Sequence, residues 1–214
     1  MADMVVKRRR LGVGVLDDCI YAVGGRDPDN SLNSVEVFDV SIQKWRLLAS
    51  MSTERWDLGI GVLNNRLYAV GGTTGNVKTL KSVEYYDPTL DSCTPVAEMS
   101  TNRQCVGVGV LNGLMYAIGG FDEYGVLKSV EVYRPSDGVW SSVADMEICR
   151  SCPGVVALYG ILYVMGGRSD DFIYSDTVEI YNPKTNTWTM ERFSRSGLYI
   201  YGGVVVDRPP NFIN

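Results

Sequence analysis

The chain has 214 residues and a net charge of −5, and it contains no histidine. The missing histidine excludes Ser-His-Asp and Cys-His nucleophilic sites and removes the commonest zinc and copper ligand. The acidic balance disfavours a nucleic-acid surface, and no apolar run approaches the length of about 18 residues that a membrane span needs. The five cysteines have no framework spacing, which indicates free thiols and a cytoplasmic protein without a cofactor.

The first predicted elements are four short strands in succession, which we call a, b, c and d. Strand a is the small-residue run 11–16, and strand b is the apolar run 20–23, which ends at Gly24-Gly25. A polar loop leads to strand c at 34–39, and strand d carries Trp45. Short β-rich runs separated by turn residues predict an antiparallel meander.

This unit recurs along the chain at a step of 47 or 48 residues. The glycine pairs that mark it are Gly24-Gly25, Gly71-Gly72, Gly119-Gly120 and Gly166-Gly167. Four strands in about 47 residues match the blade of a β-propeller. Repeat two has Cys93 at the tryptophan position, which predicts a less filled outer part of that blade.

The glycine pair, the aromatic residue of strand c and the tryptophan of strand d resemble the kelch repeat. The sequences of segments 64–72, 81–88 and 96–103 resemble those of the kelch-like proteins of the ring-canal kelch group. The resemblance implies an all-β kelch propeller of four four-stranded antiparallel blades. The predicted divisions are an N-terminal extension at 1–7 and repeats at 8–54, 55–102, 103–149 and 150–197.

One further strand is predicted in the C-terminal segment 198–214. Its run 201–207 has the phase of a fifth strand a, without the three strands that would complete a blade. The family's propeller has six blades, so we expect the four repeats and this closing strand to form part of an open ring. The alternative is a small propeller that closes on its four blades. Exposed blade edges then predict a poorly stable or self-associating chain.

An arginine precedes the first glycine of each strand a by four residues. The four are Arg8, Arg55, Arg103 and Arg150. In a meander the b–c and d–a loops share one face, which places these arginines at the central rim. Guanidinium groups there would suit bidentate capture of peptide carboxylates, and the resemblance places matching arginines at the family's substrate pocket. The alternative is that they hold loops together through neighbouring carbonyls.

The b–c loops are longer than the other turns and differ among the repeats, so we expect them to carry specificity. The predicted partner-binding residues in these loops are Arg26, Asp27, Thr73, Phe121, Asp122, Tyr124, Arg168 and Phe172. The alternative for each residue is a place in an ordinary solvated loop.

A glutamate also recurs once per repeat in strand c. The four are Glu36, Glu84, Glu131 and Glu179. A glycosidase pair is normally single-copy, so the repetition favours a structural role and predicts that the chain is not an enzyme. The pair Cys149 and Cys152 lacks the second ligand pair of a zinc site, so no bound metal is expected.

The resemblance implies a protein-interaction module that recognises the substrate of a cullin–RING ubiquitin ligase, here an acidic peptide on the b–c and d–a face. In that family a BTB domain, absent from this sequence, contacts the cullin. Actin binding, with cytoskeletal association, is the alternative that the resemblance leaves open. A propeller enzyme is a remote third possibility, because the copper oxidases among kelch propellers use histidine.

Overall fold

A computed structural model of the chain describes residues 2–171 and 173–192. Blade 1 contains β1 (Gly12–Leu16), β2 (Cys19–Val23), β3 (Val35–Asp39) and β4 (Lys44–Leu48). Blade 2 contains β5 (Gly59–Leu63), β6 (Arg66–Val70), β7 (Val83–Asp87) and β8 (Ser92–Val96). Blade 3 contains β9 (Gly107–Leu111), β10 (Leu114–Ile118), β11 (Val130–Arg134) and β12 (Val139–Val143). Blade 4 contains β13 (Gly154–Leu158), β14 (Ile161–Met165), β15 (Thr177–Asn182) and β16 (Thr187–Arg192).

Each blade is a four-stranded antiparallel sheet whose strands lie in chain order, as the repeat predicts. Within the described residues there is no helix, and so none that could cross a membrane. One blade falls within each predicted repeat, and the repeat boundaries themselves stay predictions. The predicted closing strand lies outside the described residues.

The first strand of each blade is innermost, because β1 packs on β5, β5 on β9, and β9 on β13. The small residues of these strands make that approach possible. A Cβ atom on Gly12 would lie 2.4 Å from Ile60 Cγ1, and one on Gly59 would lie 2.4 Å from Val108 Cγ2. Each glycine therefore leaves room for a branched side chain of the next blade.

The apolar core lies between successive blades, in three clusters. One joins blades 1 and 2 through residues such as Val37 and Leu67. The second joins blades 2 and 3 around Val70 and Met115, and the third joins blades 3 and 4 around Ile118 and other buried residues. A blade thus buries its faces only against its neighbours, as in other stacked-repeat proteins.

The tryptophans of the outermost strands pack on aromatic residues of the third strands. Trp140 lies 5.2 Å from Tyr133 between ring centroids, and its indole N–H donates to the Ala97 carbonyl of the preceding blade at 3.0 Å. Cys93 keeps the same kind of partner, since its Sγ lies 3.6 Å from the Ala49 carbonyl oxygen. Its smaller side chain packs against the edge of the first core cluster.

Candidate partner-binding face

The b–c and d–a loops meet on one face, as the meander predicts. In every blade the residue after the repeated arginine forms an antiparallel bridge with the residue after the glycine pair. The bridges are Arg9 with Arg26, Trp56 with Thr73, Gln104 with Phe121, and Ser151 with Arg168. The two loop sets therefore form one continuous surface around the central end of the propeller.

The four repeated arginines lie beneath this surface. Each forms a salt bridge with the glutamate of strand c in its own blade, and all four arginine side chains are fully buried. Arg103, for example, donates to the Gly119 and Ser129 carbonyls and to Glu131. The prediction that Arg8, Arg55, Arg103 and Arg150 line an exposed rim is therefore wrong for this structure. Their guanidinium groups satisfy backbone carbonyls, which was the alternative weighed from the sequence.

The glutamates complete this arrangement by holding the d–a loops. Glu84 accepts the Ser52 amide at 2.7 Å and the Arg55 guanidinium at 2.8 Å. Burial would raise the pKa of Glu84, but the Ser52 amide and the Arg55 charge outweigh it, so the pKa is lowered. Glu84 is thus a charged structural group and not a free acid or base.

The same arginines also link neighbouring blades through their backbone. The carbonyl of Arg103 accepts the Gly72 amide of blade 2 at 2.8 Å. A Cβ atom on Gly71, whose φ is +60°, would lie 2.3 Å from that carbonyl. The glycine pair is therefore required both for the turn and for the close approach of the next blade.

The residues two positions after the arginines line the inner rim of the face. We call these four residues, Arg10, Asp57, Cys105 and Cys152, the rim positions. All four have φ between 51° and 56°. Their amides and carbonyls form a chain of hydrogen bonds from blade to blade, Asp57 to Arg10 at 3.0 Å, Cys105 to Asp57 at 2.7 Å and Cys152 to Cys105 at 2.7 Å. The backbone is repeated here while the side chain changes in charge and chemistry.

A cavity of about 610 Å³ opens at the rim positions. It is lined by all four of them and by Phe121, Ser151, Gly167, Arg168 and Tyr174. Two of the predicted residues, Phe121 and Arg168, thus lie together here. The rim positions and Tyr174 are not among the residues predicted from the sequence. The signal in the sequence is the position two residues after each repeated arginine, where the residue type changes from one repeat to the next.

A cationic cluster lies beside this cavity, around Trp56. The guanidinium groups of Arg10 and Arg26 lie 5.0 and 5.3 Å from the Trp56 ring centroid, within cation–π range. Arg10 also forms a 2.8 Å salt bridge with Asp57, and its side chain is 56% exposed. Arg26 borders a second cavity of about 320 Å³, lined by Lys7, Arg8, Arg9, Asp27 and Pro28.

The other predicted residues serve different purposes. Thr73 is fully buried, and its hydroxyl donates to the Lys78 carbonyl of its own loop, so its prediction as a contact residue is wrong. Asp27 and Asp122 are half-buried and accept amide hydrogens within their loops. Tyr124 is 91% exposed and is available to a partner. Phe172 lies outside the described residues.

Comparison with known proteins agrees with the repeat architecture. The family model described as the KLHDC2/KLHL20/DRC7 Kelch-repeats domain matches residues 12–199. The chain belongs to the kelch-repeat family. A solved structure titled "Structure of YjhT" has a TM-score of 0.77 with this kelch chain at 17% identity, covering 92% of this chain and 68% of that one. This likeness shows the shared fold.

Curated relatives match over a single repeat length. Kelch-like protein 15 from Mus musculus and from Homo sapiens is 44% identical over 48 residues, which is 22% of this chain and 8% of the relative. The kelch repeat and BTB domain-containing protein 2 of Cowpox virus (strain Brighton Red) is 38% identical over 48 residues, which is 9% of its length. The kelch propeller is a protein-interaction module.

Proposed function

We propose that this kelch propeller binds an acidic segment of a partner protein across the b–c and d–a loop face. The observation that carries the proposal is the cluster of Arg10 and Arg26 around Trp56, next to the cavity at the rim positions. Arginine and aromatic side chains dominate the energetics of protein interfaces. Guanidinium groups also pair with carboxylates through directed hydrogen bonds.

The partner would contact two zones of this face. Its acidic side chains would pair with Arg10 and Arg26, and its apolar groups would enter the cavity beside Phe121. Tyr124 stands 91% exposed on the b–c loop of blade 3 and offers an aromatic contact at the periphery. Binding at such a face needs no chemical step, and the repeated glutamates are already engaged by arginines.

Peptide display tests this binding role directly. Random peptides selected on the purified chain are expected to be enriched in Asp and Glu, and their affinity should fall as salt rises. Arg10→Ala combined with Arg26→Ala should weaken a selected peptide at least about tenfold, since a hydrogen bond to a charged group contributes about 1.5 kcal/mol or more. Lys44→Ala, an exposed cation on β4 away from the face, is the matched control. Selection of peptides without acidic residues, or equal binding by both variants, would refute the acidic-segment proposal.

We further propose that the bound partner is the substrate of a cullin–RING ubiquitin ligase, and that a BTB domain in the full-length protein provides the cullin contact. Support comes from the kelch-like resemblance and from the kelch-like relatives that match one repeat. In cells, the Arg10→Ala, Arg26→Ala form of the full-length protein should allow a captured partner to accumulate, whereas the Lys44→Ala form should not. Unchanged partner levels in both cases would argue against the ligase role and leave peptide binding standing.

A further inference from the structure

Two of the rim positions are cysteines from neighbouring blades. The amide of Cys152 donates to the Cys105 carbonyl at 2.7 Å, and both residues have a φ of 51°. This hydrogen bond holds the main chains of the two residues in contact across the boundary between blades 3 and 4. Cys152 is exposed and Cys105 is half-buried, and both line the same cavity. The two side chains are close enough to share a hydrogen bond.

The neighbouring rim positions make these two thiols unequal. The hydrogen bond from Cys105 lowers the pKa of Cys152, and the charge of Arg10 acts in the same direction. The hydrogen bond to Cys152 raises the pKa of Cys105, as do burial and the negative charge of Asp57. Cys152 is thus the favoured thiolate, and the protonated Cys105 is placed next to it. A thiolate is the nucleophilic form of cysteine, and exposure governs its access to small oxidants.

We propose that Cys105 and Cys152 form an oxidisable dithiol site on the partner-binding face, which hydrogen peroxide converts to an inter-blade disulfide. The Cys152 thiolate attacks one peroxide oxygen, the O–O bond breaks, and the displaced hydroxide takes a proton to become water. The Cys105 sulfur then attacks the resulting sulfenic acid, forms the S–S bond and releases a second water. The two thiols lose two electrons, and the peroxide gains them.

The remaining cysteines occupy different surroundings. Cys149 Sγ donates to Asp170 Oδ2 at 3.7 Å, so its hydrogen-bond partner is a carboxylate and not a second thiol. Cys93 points at the Ala49 carbonyl, and burial raises its pKa to about 11. Burial also raises the pKa of Cys19. Of the five cysteines, only Cys105 and Cys152 combine a thiol neighbour with access from the cavity.

Tryptic mapping tests the proposal, because trypsin places each cysteine on its own peptide. The reduced, full-length chain is treated with a small molar excess of peroxide, its remaining thiols are alkylated, and the digest is analysed by mass spectrometry. We expect peptide 104–128 to be linked to peptide 151–168, with loss of two of the five thiols and full recovery with dithiothreitol. Cys149→Ser is the control and should leave the link unchanged.

Single substitutions separate the two roles. Cys105→Ser should leave a sulfenic acid on Cys152 that dimedone traps, whereas Cys152→Ser should slow peroxide consumption at least about tenfold, as a loss of the thiolate predicts. Thermal melting of both variants confirms that the fold is retained. Links through Cys149, links only between chains, or dimedone labelling of Cys105 in the Cys152→Ser protein at the wild-type rate would overturn the proposal. A disulfide without any change in peptide binding would leave it standing, because the site does not depend on the proposed function.

Discussion

Each buried arginine donates to two backbone carbonyls, where the second strand of its blade ends and the third begins. Arg55 donates to the Gly71 carbonyl at 2.9 Å and to the Ser82 carbonyl at 3.0 Å, where the chain leaves one strand and approaches the next. Unsatisfied buried carbonyls destabilise a fold. The planar, multi-donor guanidinium reaches both carbonyls and the glutamate together, which the single ammonium of lysine does not.

Removing one partner from such a pair should be costly. Glu131→Gln keeps the shape of the side chain but leaves the Arg103 charge buried and uncompensated, so we expect a loss of about 3 kcal/mol in the free energy of unfolding. Glu98→Gln, at the exposed Lys81–Glu98 pair, should cost less than about 1 kcal/mol. Urea unfolding of both variants measures the difference. Equal losses would contradict a structural role for the buried pair.

The same glutamates predict a dependence of stability on acid. The pKa of Glu84 and that of Glu131 are lowered in the folded chain from the ordinary value of 4.5. A lowered pKa contributes stability at pH values above 4.5, and that contribution is lost as pH falls through the folded-state pKa values. We expect the free energy of unfolding to decline below about pH 4.5. The Glu131→Gln chain should decline less steeply, and an equally steep decline would assign the acid sensitivity to other groups.

At the scale of the single blade, the tryptophan of the outermost strand links the blade to the preceding one through its indole N–H. In blade 4, Trp188 donates to the Ala144 carbonyl at 2.8 Å and packs 4.8 Å from Tyr181 between ring centroids. In blade 2, Cys93 contacts the equivalent carbonyl of Ala49, beside Tyr86. The surroundings of the tryptophan are therefore retained where the tryptophan is missing.

Restoring the indole should stabilise blade 2. Cys93→Trp should add the ring contact with Tyr86 and the hydrogen bond to Ala49, with a gain of about 1 kcal/mol. The reverse change, Trp140→Cys in blade 3, should cost about 3 kcal/mol through the lost contacts and the cavity. Differential scanning calorimetry gives both values. A lower melting temperature for Cys93→Trp would show that the residues around Cys93 leave no room for an indole ring.

The elements could be predicted closely from the sequence, and the site only in part. Strand order and the face shared by the b–c and d–a loops followed from the meander, because antiparallel connections dictate which loops share a side. The side-chain direction of Arg103 could not be predicted, because the sequence shows the same repeated arginine whether its guanidinium group is buried or exposed. The rim position Cys105 was missed because its place depends on a backbone turn at a φ of 51°, which the residue type does not reveal.

At the scale of the whole molecule, the innermost strand of blade 1 exposes apolar side chains whose equivalents in blades 2 and 3 pack against the preceding blade. Ile60 packs on Gly12 and Val108 packs on Gly59, each a branched residue of one blade against a glycine of the preceding blade. The equivalent Val13 is 58% exposed, and Val15 on the same strand is 63% exposed. An exposed apolar strand of this kind favours association.

We therefore expect the chain to self-associate at high concentration through the flank of β1. Val13→Glu combined with Val15→Glu should shift the population toward monomer in sedimentation velocity. Leu90→Glu, at a turn residue that is 70% exposed, should have no such effect. A monomer at all concentrations before mutation would refute the expectation.

The rim positions separate what holds the propeller together from what distinguishes its surface. At Asp57 the main chain carries the hydrogen bonds that link the blades, while the side chain, here in a salt bridge with Arg10, is the part that differs from repeat to repeat. In a repeat protein of this kind, the side chain at one rim position can change without altering the backbone hydrogen bonds that hold the blades together. The four repeats together place an arginine, an aspartate and two cysteines around one cavity, a combination that a single repeat could not provide.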